Sequence, residues 1–154
     1  MELETTRFGT IKIQADDIIT FEDGLVGLNQ YRRFVLIRHD SEGPFWWLQS
    51  VEEPSFALLL IDPWYFRPDY EVVLSDAEVE RLQLSDSTSQ AVLTTVSIPP
   101  GKPHAMTSNL LAPLVINTEL RIGRQVILDD ERYHTRHPIL QEMWRSTQTA
   151  EAAG

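Results

Sequence analysis

Cysteine is absent from this 154-residue chain, which excludes disulfide bridges, thiolate metal ligands and a cysteine nucleophile, and fits a reducing cytoplasm. Basic residues are scarce: thirteen Lys and Arg stand against twenty-three Asp and Glu, giving a formal net charge of −10. Such a surface repels a phosphate backbone unless a basic patch is segregated on one face, so direct nucleic-acid binding is not expected. Long apolar runs are missing too. The longest, Phe56-Ala57-Leu58-Leu59-Leu60-Ile61, falls far short of the roughly 20 residues that cross a bilayer, so no membrane insertion is expected. The opening residues, Met1-Glu2-Leu3-Glu4-Thr5-Thr6-Arg7, carry neither a basic region nor an apolar stretch of signal-peptide length, so no export is expected. No GxSxG elbow, phosphate-cradling Gly-rich loop or HExxH motif is present to favour an enzymatic reading.

What is present is a set of short apolar and β-branched clusters separated by Gly, Pro, Asn, Asp and Ser, the pattern of strands joined by turns. The length fits one domain, and 42% hydrophobic residues suffice for a core without covalent staples. Ile11-Lys12-Ile13-Gln14 alternates apolar with polar and follows the Phe8-Gly9 turn signal, so two strands pair near the N-terminus. Residues 34–37 and 45–48 flank Asp40-Ser41-Glu42-Gly43-Pro44 and read as a hairpin. Residues 56–61 read as a central strand buried on both faces, and residues 71–74 and 91–98 as two further strands. Between these two lies one short helix: Ser75 caps it, Glu78 is placed as the capping-box partner, and Val79 and Leu82 share a face. Residues 114–117 and 125–128 close the pattern as a hairpin whose connection contains Gly123, and residues 147–154 read as a frayed tail. The expected class is all-β, a barrel or sandwich with one short helix, closure being favoured because it removes exposed edges.

Candidate chemistry is sparse. His134 and His137 are three apart, but Pro138 biases His137 toward an extended conformation, and a structural zinc site needs more ligands than this pair supplies, so packing or surface roles are expected. The carboxylate pairs Asp16-Asp17, Glu52-Glu53 and Asp129-Asp130 are sequence neighbours, which point to opposite faces of a strand rather than across a cleft, and read as solvated turn residues. Trp46 and Trp47 are adjacent in a predicted strand, so one ring faces the core and the other faces outward or into a second layer. Trp64, Tyr65 and Phe66, between Pro63 and Pro68, form a loop cluster that is either a lid over the barrel end or a partner pocket. Asn109-Leu110-Leu111-Ala112-Pro113-Leu114-Val115-Ile116-Asn117 denies a backbone donor at Pro113 and supplies two local hydrogen-bonding asparagines, as expected of a bulge or an edge strand.

Taken together and in order, these segments resemble the flagellar assembly factor FliW family. The likeness rests on Arg7-Phe8-Gly9, Ile19-Thr20-Phe21, Gly24-Leu25-Val26-Gly27, Phe45-Trp46-Trp47-Leu48-Gln49-Ser50 and Pro68-Asp69-Tyr70. It continues through Asn109-Leu110, Ala112-Pro113, Ile116-Asn117, Gln125-Val126-Ile127-Leu128, Tyr133 and Arg136-His137-Pro138, spanning Thr6 to Ile139. Leu28 stands where the family pattern carries an aromatic, and residues beyond Leu140 extend past it.

The resemblance implies a compact β-barrel-like domain over residues 1–139, with residues 140–154 as a partly disordered extension. It implies a cytoplasmic, monomeric protein without catalytic activity, cofactor or metal. It implies two protein partners: flagellin, and the carbon storage regulator CsrA, an RNA-binding translational repressor. In the family, the protein held by flagellin is unavailable to CsrA; once flagellin is exported, the freed protein binds CsrA and relieves repression of flagellin synthesis. The partner-facing candidates are Trp47, Tyr65, Phe66 and Tyr70, with Asn109 and Asn117 shaping a strand edge. Two rival readings are a small-ligand or enzymatic barrel with an enclosed cavity, and an OB-type nucleic-acid binder with aromatics on a strand face.

Overall fold

Side chains along a strand alternate between its two faces, and here that alternation divides the apolar residues among three cores. In the computed structural model, which describes the backbone of residues 1–153 and the side chains of residues 1–147, the strand Arg33–Arg38 turns Phe34 and Leu36 into one core and Val35 and Ile37 into another. In chain order the elements are β1 (Glu2–Thr5), β2 (Gly9–Lys12), β3 (Ile19–Thr20), β4 (Arg33–Arg38), β5 (Phe45–Ser50), β6 (Ala57–Ile61), α1 (Asp76–Arg81), β7 (Gln90–Ser97), β8 (Thr107–Ser108), β9 (Leu114–Asn117), β10 (Ile122–Gln125), β11 (His137–Pro138) and α2 (Ile139–Ala153).

Seven of the strands close a barrel in the order β7-β6-β5-β4-β3-β10-β9, with β9 returning to pair with β7. The closure is uneven. β4 and β5 pair over five positions, whereas β3 joins β10 through the single parallel bridge Ile122↔Thr20. Opposite β7, β8 and β9 act as one interrupted strand: the register jumps from Val96↔Ser108 to Leu93↔Leu114, so residues 109–113 form a bulge, one of the two alternatives, bulge or edge strand, expected of the 109–117 stretch. β11 then adds to the free side of β8.

The barrel interior is filled by Ile19, Phe21, Leu25, Phe34, Leu48, Leu60, Leu93, Leu114 and Ile116, with Phe21 and Phe34 meeting edge to face at 5.6 Å. A second core lies outside the wall, where Ile61, Val115 and Val126 meet Phe66, Tyr70, Leu82, Leu110 and Ile139 from the overlying segments. The third core is smaller: the β1-β2 hairpin sets Leu3 and Ile13 against the outer face of β4 at Val35.

The all-β expectation holds, as do the N-terminal pair, the 34–48 hairpin and the helix after Ser75. Ser75 Oγ accepts the Glu78 N–H at 3.2 Å, but the Glu78 carboxylate does not fold back to complete a capping box; Arg124 takes it instead. Residues 71–74 are not a strand. Val72 and Leu74 turn inward while Val73 is exposed, as in an extended chain, but the segment crosses the outer wall and pairs with no strand among the described residues. β6 is buried fully only at Leu60 and Ile61, because a closed barrel has no central strand covered along its whole length on both faces. Gly123 sits inside β10 rather than in the turn before it.

A second helix, α2, follows the barrel. Ile139, Glu142 and Met143 form its inward face at helical spacing, and its first turn is fixed by Glu142, which meets His137 Nδ1 at 2.6 Å and Arg67 at 3.4 Å. The expectations of a frayed tail over residues 147–154 and of partial disorder in the extension concern, from residue 148 on, side chains outside those described.

Candidate partner-binding surface

The aromatic loop is built by local hydrogen bonds. Asp62 accepts the Trp64 N–H at 3.0 Å and Pro63 opens a single 3-10 turn, Pro63–Tyr65. The Trp64 indole N–H then donates to the Tyr70 carbonyl at 2.9 Å, which closes residues 64–70 on themselves. This geometry splits the cluster. Tyr65 is 57% exposed and Trp64 39%, while Phe66 is fully buried.

Two of the loop's candidate residues therefore require correction. Phe66 packs in the outer core, and Tyr70, 3% exposed, donates its hydroxyl to the Leu110 carbonyl at 2.7 Å while its ring meets Tyr133 edge to face. Burial pushes the Tyr70 phenol well above its ordinary range. Neither residue offers surface to a partner, because each fills the space between the barrel wall and the segments over it. Asn117, expected to shape a strand edge, ends β9 fully buried: it donates from Nδ2 to the Leu82 carbonyl at 2.8 Å and accepts the Glu119 and Leu120 N–H groups, pinning α1 to the β9-β10 turn, and offers no surface of its own. Asn109, half-buried, accepts the Leu111 and Ala112 N–H groups and shapes the bulge.

Trp47 does face outward, as the adjacent-tryptophan argument requires, while Trp46 packs against the interior core. Its outer face is not bare. The Arg7 guanidinium lies 4.1 Å from the ring centroid, Phe8 meets it edge to face, and its indole N–H donates to His39 Nδ1 at 3.2 Å. Trp47 thus binds the tip of the β1-β2 hairpin to the barrel.

At least one carboxylate of each candidate pair is occupied locally. Glu52 accepts the Arg32 and Arg33 N–H groups, which holds its carboxyl below the usual range, and Asp17 accepts the Gln14 N–H. Asp130 is paired with Arg132, and Asp23 and Glu78 both bind Arg124 on β10; Arg124 lowers the Asp23 pKa by hydrogen bond and charge. His134 and His137 stack at 3.9 Å, and His137 Nε2 accepts the His134 N–H, so the imidazole is held as the Nδ1–H tautomer facing Glu142. Among the described residues no group of three His, Cys, Asp or Glu is placed to hold a metal ion.

Sequence reasoning missed two exposed apolar features. Leu140 and Trp144, 39% and 63% exposed, share the outer face of α2 at an i, i+4 spacing that becomes legible only once the helix is known. Val26, 58% exposed, lines a cleft of about 170 Å³ that shares Asp23, Gly123 and Arg124 with a neighbouring cleft of about 320 Å³, and Ile127, 65% exposed, lies two residues beyond Gln125 of the same lining. Among the described residues no helix is long and apolar enough to cross a membrane.

Against known proteins, the family model described as FliW protein matches residues 2–139. The flagellar assembly factor FliW of Alkaliphilus metalliredigens is 42% identical over 158 residues, covering 99% of this chain and 97% of that relative. The same factor from Desulfitobacterium hafniense strain Y51 is 41% identical over 151 residues, covering 98% of each. A crystal structure of the flagellar assembly factor FliW superposes with a TM-score of 0.83 at 35% identity, covering 90% of this chain and 96% of that one. Family model, full-length relatives and barrel agree: the chain belongs to the FliW family of flagellar assembly factors.

Proposed function

We propose that this chain is a non-enzymatic regulator in the cytoplasm that binds flagellin and, when released from it, binds CsrA and relieves repression of flagellin synthesis. The observation that carries the reading is membership of the FliW family across residues 2–139, with relatives matched over nearly their whole length. Two physical features support it. The barrel interior is occupied by side chains, which leaves the outer surface for recognition. A net charge of −10 draws in a basic RNA-binding protein and, once docked beside its RNA site, disfavours RNA by like-charge repulsion without filling the same groove.

The partner-facing residues proposed are Tyr65, with Trp64 beside it, and the rim of Trp47. Phe66 and Tyr70 support the Trp64-Tyr65 loop from beneath, Tyr70 reaching the Leu110 carbonyl beside the bulge that Asn109 shapes, while Asn117 acts at the β9-β10 turn. The reading is tested by capture at low salt from cells making the full chain, followed by titration of purified flagellin and CsrA. Flagellin and CsrA are expected in separate complexes, with flagellin displacing CsrA. Recovery of neither, or turnover of a metabolite by the purified protein, would overturn it.

A further inference from the structure

β10 is paired along one edge and open along the other. Toward β9, Val126 N–H donates to the Pro113 carbonyl at 2.9 Å and Leu128 N–H to the Leu111 carbonyl at 2.8 Å, so the ladder continues beyond Gln125. Alternation turns the main-chain groups of residues 123, 125 and 127 to the opposite side. There Thr20 N–H donates to the Arg121 carbonyl and the single Ile122↔Thr20 bridge ends the pairing, because β3 is two residues long and the chain turns away at Phe21. Beyond that bridge the Gly123 carbonyl and both main-chain groups of Gln125 and Ile127 have no partner among the described residues.

Such an edge is normally paired, covered or blunted by charge or proline. Here the loop of residues 23–28 only partly covers it. Asp23 is tied to Arg124, and Val26 N–H donates to the Gln125 side chain rather than to its backbone, which leaves the trough of about 170 Å³ between loop and strand. Gly24 and Gly27, at φ +67° and +78°, allow the loop its turn away from the strand. Exposed Val26 and Ile127 supply apolar contact on either side. Carboxylates unpaired among the described residues stand at both ends of the edge: at one end Glu22 lines the cleft beside Asp23, which is paired with Arg81 and Arg124, and at the other Asp129 and Glu131 follow Ile127, while Asp130 is paired with Arg132.

We propose that an extended, basic segment of another polypeptide adds to this edge as a strand, pairing with residues 123–127 and placing its apolar side chains against Val26 and Ile127. Main-chain hydrogen bonds would supply affinity and the acidic ends would select charge. The inference is independent of which protein supplies the segment.

The probe is a seven-residue peptide alternating valine with lysine and threonine, titrated into the isotopically labelled full chain while the Gln125 and Ile127 amides are followed by hydrogen exchange. Saturable slowing at both amides is expected. An otherwise identical peptide with glutamate for lysine, or with its edge-facing amides N-methylated, is expected to bind at least tenfold more weakly. Ile127→Pro removes an outward N–H and is expected to weaken the slowing that remains readable at the Gln125 amide; the methylated peptide gives the same information on the wild-type protein if that variant does not fold. Unchanged exchange with the basic peptide, equal binding of the acidic one, or protection that instead grows with protein concentration, which would assign the edge to a second copy, overturns the proposal.

Discussion

Tyr65 and Phe66 are chemical near-equals and sequence neighbours, yet one lies in solvent and the other in the core. The single 3-10 turn at Pro63 decides which is which. Phe66→Ala is expected to cost about 3–5 kcal/mol, the ordinary penalty of truncating a buried aromatic. Tyr65→Ala is expected to stay within about 0.5 kcal/mol of wild type while weakening partner binding. Urea unfolding of both variants checks the first pair of values, and titration with flagellin and CsrA checks the last. Gly123 presents the reverse problem: a Cβ there would stand 2.7 Å from the Phe21 ring, inside the filled barrel. Gly123→Ala is therefore expected to lose about 1–3 kcal/mol through overpacking, read as a lower midpoint in the same unfolding experiment. The sequence singled out Gly123 but assigned it to a turn, since a lone glycine does not reveal whether conformational freedom or lack of bulk is needed.

At the scale of elements, strands were legible wherever an apolar or β-branched cluster bounded by turn residues met a partner edge, as in β4, β5, β7 and β9. Residues 71–74 form a similar apolar cluster and fail, because pairing is a property of the neighbour and not of the segment. α2 went unread because its inward stripe includes Glu142, a charged residue whose burial is made acceptable by His137 and Arg67, both distant from the helix pattern. The candidate site suffered from the same limit: aromatic type marks a residue as important, but only the fold separates Tyr70, bonded inside, from Tyr65, free outside. The His137-Glu142 clamp gives α2 a pH dependence. Burial depresses the His137 pKa below its ordinary 6.5, outweighing the opposing pull of Glu142, while His134 and Arg67 add to the depression. Below about that pH the unfolded chain takes up a proton that the folded chain refuses, so folding stability falls as pH drops through the window between 6.5 and the lowered native value. Protonation also sets a new Nε2–H against the His134 N–H that it now accepts. Denaturant midpoints measured from pH 7.5 to 5.5 should decline, and His137→Gln should flatten that decline whatever its starting stability. An unchanged slope in the variant would assign the effect to other groups.

For the whole molecule, the charge argument depends on which carboxylates are free to act at a distance. Glu52 and Asp130 are poor choices for neutralisation: one holds two backbone N–H groups and the other an arginine, so their removal would confound fold with field. Glu22, Asp129 and Glu131 are exposed and carry no side-chain hydrogen bond among the described residues, so replacing them by glutamine, asparagine and glutamine changes the field with little local cost. If an anionic exterior steers this protein toward a basic partner, the association rate with CsrA should fall steeply with added salt, since exposed charges are screened beyond about 8 Å at physiological ionic strength. The triple variant should associate more slowly and show a shallower salt dependence, with dissociation little altered, because peripheral charges act on encounter more than on the docked complex. Stopped-flow association across a salt series measures both quantities. A rate indifferent to salt and to the three substitutions would remove electrostatic steering from the mechanism and leave CsrA recognition to the exposed aromatic and apolar groups of the barrel wall.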